Sequence, residues 1–516
     1  VQTLVTSLAL DHSPADVHLY LLDFSGQRLL FLRSFPHVGD AFLADDVDQL
    51  KRFFRFLSRE LEARKGKFAR LGAANLKEYR ALGGGPLPAI VTVLEDYDAF
   101  NRMCQDRNLD LSDALAQLVR EGGAYGLHFV LTMVGPSTFP TRLATSVSLA
   151  ASFHLATRDY SMALGPTGGM EPAPTPGRGL LKGPPVLEFQ TSLPADGATD
   201  AERTRALQAL MEQMDRAWGH KPRPAIFPSI PAVVGLSHLV TPAAGWPISP
   251  PEGYAATFAL DMDSPDVPFE VSLTDGPYFL VAGTPGCGKT SLLLAWALAL
   301  AERYPPSALT GYVVDFRGSG LDLLGGLPHF SVPRTRGSKG SASRCITTEE
   351  QLAAALAEIE TLMRKRQDNL AGARQKAGFN LRAWARSLPA VWMLIDDYDA
   401  FKAEAGAANQ DLLNANLKRW RDLGFYLTVA GPIGEMETDW GWIKLLRDNP
   451  VGFQMGTAQL NQIFKINLPS DHPAKLLAPG EAFYIRRGQF HHLKMADPHV
   501  GPLSSHQWVE QICKRE

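Results

Sequence analysis

The chain has 516 residues, room for several domains at about 100–200 residues each. With 45% hydrophobic and 20% charged residues it is no chain disordered throughout. A balance of 51 Lys and Arg against 54 Asp and Glu, net -3, excludes a bulk electrostatic draw toward nucleic acid or anionic membrane.

Taken in chain order, the elements come twice. The block VHLYLLDF at 17–24 returns as LTGYVVDF at 309–316, and Phe35-Pro36-His37 is echoed by Leu327-Pro328-His329. LEDYDAF at 94–100 returns as IDDYDAF at 395–401, and GLHFVLTMVGP at 126–136 as GFYLTVAGP at 424–432. A repeat this long reads as two tandem copies of a whole domain. The first copy is expected over 1–193, ending in a hairpin over Gly179–Gln190. Residues 194–270 hold an amphipathic helix, Glu202–Trp218, and a proline-dense run from Pro222 to Pro251, expected as a semi-rigid extended linker. The second copy fills 271–516, with strands at Tyr278–Ala282, Tyr312–Asp315, Val391–Ile395 and Tyr426–Val429. Its helices fall at Thr290–Arg303 and Glu349–Asn369, and its closing hairpin at Ala482–Lys494. Its surplus residues fall in a Gly/Ser/Arg-rich stretch, Arg334–Arg344, expected as a flexible loop. Continuous apolar strands between helices predict an α/β fold, a parallel sheet covered on both faces, in each copy.

Four cysteines, Cys104, Cys287, Cys345 and Cys513, have no short spacing, which argues against a zinc site or a disulfide scaffold. The longest apolar runs, such as Leu292–Ala301, are too short to span a bilayer.

The chemistry concentrates in the second copy. Gly283, Thr284, Pro285, Gly286, Cys287, Gly288, Lys289 and Thr290, followed by Ser291, fit the phosphate-loop pattern between a strand and a helix. Glycines there let successive backbone N–H groups converge on phosphate oxygens, and the helix N-terminus adds its positive end. Lys289 would neutralise β/γ-phosphate charge and Thr290 would ligate Mg²⁺, so the implied cofactors are ATP and Mg²⁺. Cys287 reads as a small loop residue with a thiol open to oxidation. The apolar strand ending in Asp396-Asp397 supplies Asp396, holding Mg²⁺ through water, and Asp397, polarising the attacking water. Asp397 is shorter than the Glu of many such motors, which fits weak hydrolysis. Thr428 reads either as a γ-phosphate sensor or as a β-favouring threonine in a sheet, with Thr132 as its counterpart. In the first copy Glu95 and Asp96 take the places of Asp396 and Asp397. The repeat spacing puts that copy's phosphate loop upstream of Val1, so a longer parent chain is expected. Arg64 and Arg364 appear as equivalent helical positions, either solvent-facing or presented to a neighbour's nucleotide.

These blocks resemble the FtsK/SpoIIIE branch of the additional-strand P-loop ATPases. More narrowly they resemble the C-terminal ATPase pair of the EccC/EssC proteins of type VII secretion. The residues that carry this are the tandem blocks at 95–98 and 396–399, Tyr125–Leu131, Pro176–Leu180 leading to Glu188–Gln190, and Pro277–Val281 running into the phosphate loop. The resemblance implies tandem RecA-like domains of a membrane-anchored ATPase at the cytoplasmic face, assembled as a hexamer with other secretion subunits. It also implies recognition of small helical-hairpin substrates of the WXG type through a C-terminal signal. The alternatives are a double-stranded DNA translocase of the same superfamily and a non-hydrolysing, nucleotide-locked scaffold. Tandem motor domains and neutral composition favour protein over DNA as the partner.

Overall fold

The computed structural model describes all residues except 136–140, 156–159, 247–252, 333–342, 377, 439–440, 458–462, 466–476 and 516. The chain divides into two compact units, Val1–Ser229 and Ile230–Glu516. The division falls inside the 194–270 span, and the two parts of that span pack on different units. The Gly/Ser/Arg-rich stretch expected as a flexible loop lies outside the described residues except for its last two.

In the first unit, β1 (Val17–Asp23), β2 (Val38–Leu43), β3 (Ala89–Glu95) and β4 (Leu127–Leu131) form a parallel sheet in the order β2-β1-β3-β4. Side chains alternate across a strand, so Leu19 and Leu21 face one layer while Tyr20 and Leu22 face the other. The first layer holds helices Gln2–Asp11 and Asp200–Trp218; the second holds Val47–Leu71, Tyr97–Asp106 and Leu111–Gly122. The helix Asp200–Trp218 starts where Thr199 and Glu202 form a reciprocal capping box. It then buries Leu207, Met211 and Met214 against the sheet.

The proline run begins as part of this same core. Phe227 enters an aromatic slot, its ring centroid 5.5–6.0 Å from those of Tyr20, Phe42, Phe53 and Phe56. Its N–H donates to Asp40 Oδ2 at 2.9 Å, and its carbonyl accepts from Gln49 Nε2 at 2.7 Å. Further along the first unit, β5 (Ala151–Phe153), β6 (Arg178–Leu181) and β7 (Leu187–Gln190) form a small antiparallel sheet, containing the expected hairpin.

The second unit is built on one large mixed sheet. Its strands are β8 (Val234–Gly235), β9 (Ala255–Asp261), β10 (Ser264–Ser272), β11 (Tyr278–Gly283), β12 (Leu309–Val314) and β13 (Cys345–Ile346). They continue with β14 (Ala390–Ile395), β15 (Phe425–Gly431), β16 (Gly452–Met455), β17 (Glu481–Arg486) and β18 (Gln489–Asp497). The order is β10-β9-β18-β17-β16-β11-β15-β14-β12-β13, with β8 pairing β18. From β16 to β13 neighbours are parallel, as expected; from β10 to β16 they are antiparallel, which extends the sheet beyond the expected parallel core. The helix Lys289–Arg303 is buried from Leu292 to Glu302, with Trp296 against Phe258, Phe279, Trp392 and Phe453. A helix enclosed all round needs no polar stripe. The opposite face carries helices Glu349–Ala373, Tyr398–Glu404, Ala407–Trp420 and Gly441–Asp448.

Candidate functional site

Strand β11 ends at Gly283, and the loop that follows turns into the helix at Lys289. Gly286 and Gly288 hold φ of +74° and +101°, left-handed values that side chains resist. Gly283 is needed for a close approach: a Cβ there would lie 2.7 Å from Cys287 Sγ and 2.9 Å from Met455 Cβ. Thr284, Pro285 and Gly286 are exposed, while Gly288, Lys289, Thr290 and Ser291 are half-buried. Lys289 Nζ folds back over its own loop, donating to the carbonyls of Gly283 at 3.2 Å and Thr284 at 2.9 Å. Cys287 is buried and burial pushes its thiol up, so the expectation of an oxidation-prone thiol is corrected.

The acid side meets this loop directly. The sheet order places β15 between the loop strand β11 and the acid strand β14. Asp396, at the end of β14, accepts a hydrogen bond on Oδ2 from Thr290 Oγ1 at 2.7 Å. Burial raises its pKa, because the charged carboxylate loses water. Two residues not singled out from the sequence complete this corner. Ser319 Oγ lies 2.6 Å from Asp396 Oδ2 and 2.9 Å from Asp315 Oδ2, while Ser319 N–H donates to Asp315 at 2.7 Å. One hydroxyl proton faces two buried carboxylates, and Asp315 Oδ1 has no hydrogen-bond partner among the described residues. Such a corner is short of positive charge and suits a hydrated cation such as Mg²⁺. The signal for Asp315 was in the sequence: it is the penultimate residue of the repeated 309–316 block, as Asp23 is of 17–24.

Asp397 follows with φ of +56° and precedes the helix Tyr398–Glu404. Its Oδ2 lies 2.5 Å from Arg317 Nη1, and Arg317 Nη2 reaches Asp399 Oδ2 at 3.1 Å. Arg317 is the third residue of this corner that the sequence left unmarked. In the first unit Asp96 has φ of +67°, accepts from Ala99 N at 3.0 Å, and donates from its own N–H to Thr132 Oγ1 at 3.0 Å. Beside it, the buried Oε2 of Glu95 has no hydrogen-bond partner among the described residues.

Two expectations are corrected. Arg64 is 1% exposed and is spent on the interior, donating to Glu60, to the Tyr125 carbonyl and to the Pro88 carbonyl, each at 2.8 Å. A buried guanidinium holding main-chain carbonyls cannot reach a neighbour's nucleotide. Its counterpart is Arg366, which donates to the carbonyls of Leu423 and Pro389, not Arg364, which is exposed and pairs with Glu360. Thr428 is fully buried within β15, where its Oγ1 accepts from Trp392 Nε1 at 3.0 Å, so of its two readings the structure fits the sheet threonine and not the sensor. Register also separates it from Thr132: Leu94 pairs with Leu131 and Ile395 with Val429, so Thr132 corresponds to Ala430.

A groove of about 1140 Å³ opens at the other end of the second unit's sheet, where β11 and β15 begin. Arg386, Lys418, Arg421, Lys444 and Arg487 line it, with Asp422 and Asp448 among the fewer acids and Leu445 and Phe464 among the apolar residues. No helix among the described residues is long and apolar enough to cross a membrane.

The FtsK/SpoIIIE family model matches residues 1–132 and 253–388. The ESX secretion system protein EccC of Geobacillus thermodenitrificans is 26% identical over 469 residues, covering 90% of this chain and 28% of that protein. The chain thus spans under a third of the length of the first curated relatives it matches, 28% of this one and 31% of the Thermomonospora curvata EccC. Among solved structures, EssC (ATPases 2 and 3) from Geobacillus thermodenitrificans matches with a TM-score of 0.72 at 22% identity, over 96% of this chain and 88% of that one. Thermomonospora curvata EccC (ATPases 2 and 3), in complex with a signal sequence peptide, matches with a TM-score of 0.54 at 25% identity, over 96% and 85%. The fold is therefore that of tandem P-loop, RecA-like α/β units.

Proposed function

The chain belongs to the FtsK/SpoIIIE family, and from that premise we propose that its second unit binds Mg-ATP at Gly283–Ser291 within a type VII secretion ATPase acting on protein substrates. The observation that carries the nucleotide reading is the Thr290–Asp396 hydrogen bond, which joins the phosphate loop to the acid strand. Lys289 would exchange its two neutral carbonyl partners for charge-assisted bonds to phosphate. Thr290 and Asp396, steadied by Ser319 and Asp315, would hold the magnesium ion and its water. When bound, Mg-ATP supplies the phosphoryl group and the cation; Asp397 would take a proton from water. In the first unit Asp96 and Glu95 would take the places of Asp397 and Asp396.

The substrate side of the proposal is a protein carrying a C-terminal signal, of the small helical-hairpin WXG type. It is supported by the peptide complex of the Thermomonospora curvata relative. The basic, part-apolar groove of the second unit suits an acidic amphipathic segment. A hexameric ring at the cytoplasmic face of the membrane, with other secretion subunits, completes the reading.

The test titrates a fluorescent ATP analogue with Mg²⁺ against the wild-type chain and K289A. Loss of about tenfold or more in affinity is expected, the scale of removing charged hydrogen bonds. A labelled signal peptide and labelled duplex DNA are then compared by anisotropy at two salt concentrations. Peptide binding with inert DNA supports secretion; salt-sensitive DNA binding without peptide binding makes the chain a DNA translocase. Nucleotide bound without turnover, and silence from both partners, leaves a nucleotide-locked scaffold.

A further inference from the structure

The second unit turns its water-polarising carboxylate away from its usual local partner. Asp96 and Asp397 sit at equivalent left-handed positions before equivalent helices. Asp96 caps its own helix through Ala99 N; Asp397 makes no such cap and instead meets Arg317 at 2.5 Å. The guanidinium also holds Asp399, so it bridges two carboxylates of one helical turn. The first unit has Ser25 where the second has Arg317, and Ser25 bonds Asp23. One loop therefore reaches both acids of the site: Ser319 touches Asp396, and Arg317 touches Asp397.

A carboxylate serves as a base only through a lone pair directed at water, and an adjacent guanidinium occupies a lone pair that water would otherwise meet. We propose that Arg317 is a built-in restraint on hydrolysis, a positioning residue that holds Asp397 out of contact with the attacking water until the pair opens. This rests on the nucleotide reading of the same site. Arg317 is 55% exposed and Asp397 24%, so the pair is wet enough to open without disturbing the core.

The test uses the whole chain with Mg-ATP, measuring phosphate release and, separately, affinity for a fluorescent ATP analogue. Breaking an exposed pair is worth up to about 1 kcal/mol, so R317Q should raise kcat about two- to fivefold with KM and affinity little changed. D399N, which removes the second anchor, should shift kcat the same way, and R317K should keep most of the restraint. Raising salt from about 0.05 to 0.5 M should lift wild-type kcat toward that of R317Q and leave the variant level. An unchanged or lowered kcat in R317Q, with nucleotide still bound, overturns the restraint and makes Arg317 inert or catalytic. If wild type, R317Q and K289A all fail to bind nucleotide, the failure lies with the nucleotide reading instead.

Discussion

The Pro-His pair that marks the repeat shows how much a single residue can carry. His37 Nε2 donates to the His12 carbonyl at 2.8 Å, and His329 Nε2 to the Tyr304 carbonyl at 2.7 Å. Each tie secures the chain just past the end of a helix, Gln2–Asp11 or Lys289–Arg303. A carbonyl only accepts, so Nε2 bears the hydrogen, and Nδ1 has no hydrogen-bond partner among the described residues. Burial depresses both imidazoles, that of His329 to about 4. The unfolded chain, with histidines near about 6.5, then takes up protons before the folded one. The stability that His329 contributes above that value should be lost as pH falls toward about 4, by up to about 1.4 kcal/mol per pH unit, and His37 should act in the same direction. Melting temperatures from pH 7 to 4 should show a flatter acid limb for H329Q than for wild type; superimposable limbs would refute the assignment. The sequence displayed this pair as a repeat marker, yet its partner carbonyl lies 25 residues back in each copy, beyond the reach of local pattern.

Among elements, the helices and parallel strands declared themselves because a strand buried on both faces reads as an apolar run. The phosphate loop was legible for a different reason, since its glycines and its Lys-Thr pair are fixed by local backbone geometry. Register was not legible. Two arginines two residues apart, Arg364 and Arg366, both suit a helix, and only the carbonyls of Leu423 and Pro389 decide which one is the buried equivalent of Arg64. Arg317 escaped notice because it stands one residue beyond the repeated 309–316 block and has serine in the other copy. The proline run hid its role too, since nothing local tells an extended segment that spans solvent from one that inserts a phenylalanine into an aromatic slot. Phe227→Ala should cost about 3–5 kcal/mol in denaturant unfolding of the first unit, the scale for emptying a buried aromatic site. A change within about 0.5 kcal/mol, the size expected of surface substitutions, would show that the slot closes without it.

For the molecule as a whole, the division at Ser229–Ile230 matters more than the boundary at 193 drawn from the repeat. A fragment ending at Ser229 keeps Leu207, Met211, Met214 and Phe227 in their places; one ending at residue 193 strips them and bares both layers of the sheet. The longer fragment should melt cooperatively and bind little hydrophobic dye, whereas the shorter should bind the dye and precipitate. Equal behaviour of the two would count against the helix Asp200–Trp218 as part of the first unit's core. The second unit's sheet has a different consequence, at its margins. One outer strand, β13, is two residues long, and the other, β10, carries Pro265 and Pro268 and an irregular register. Proline offers no N–H, and two residues offer almost no ladder. Neither margin is a template on which another copy could add a strand. A neighbouring copy that approached either margin would therefore meet it through side chains, contacts more readily made and released than a shared backbone ladder.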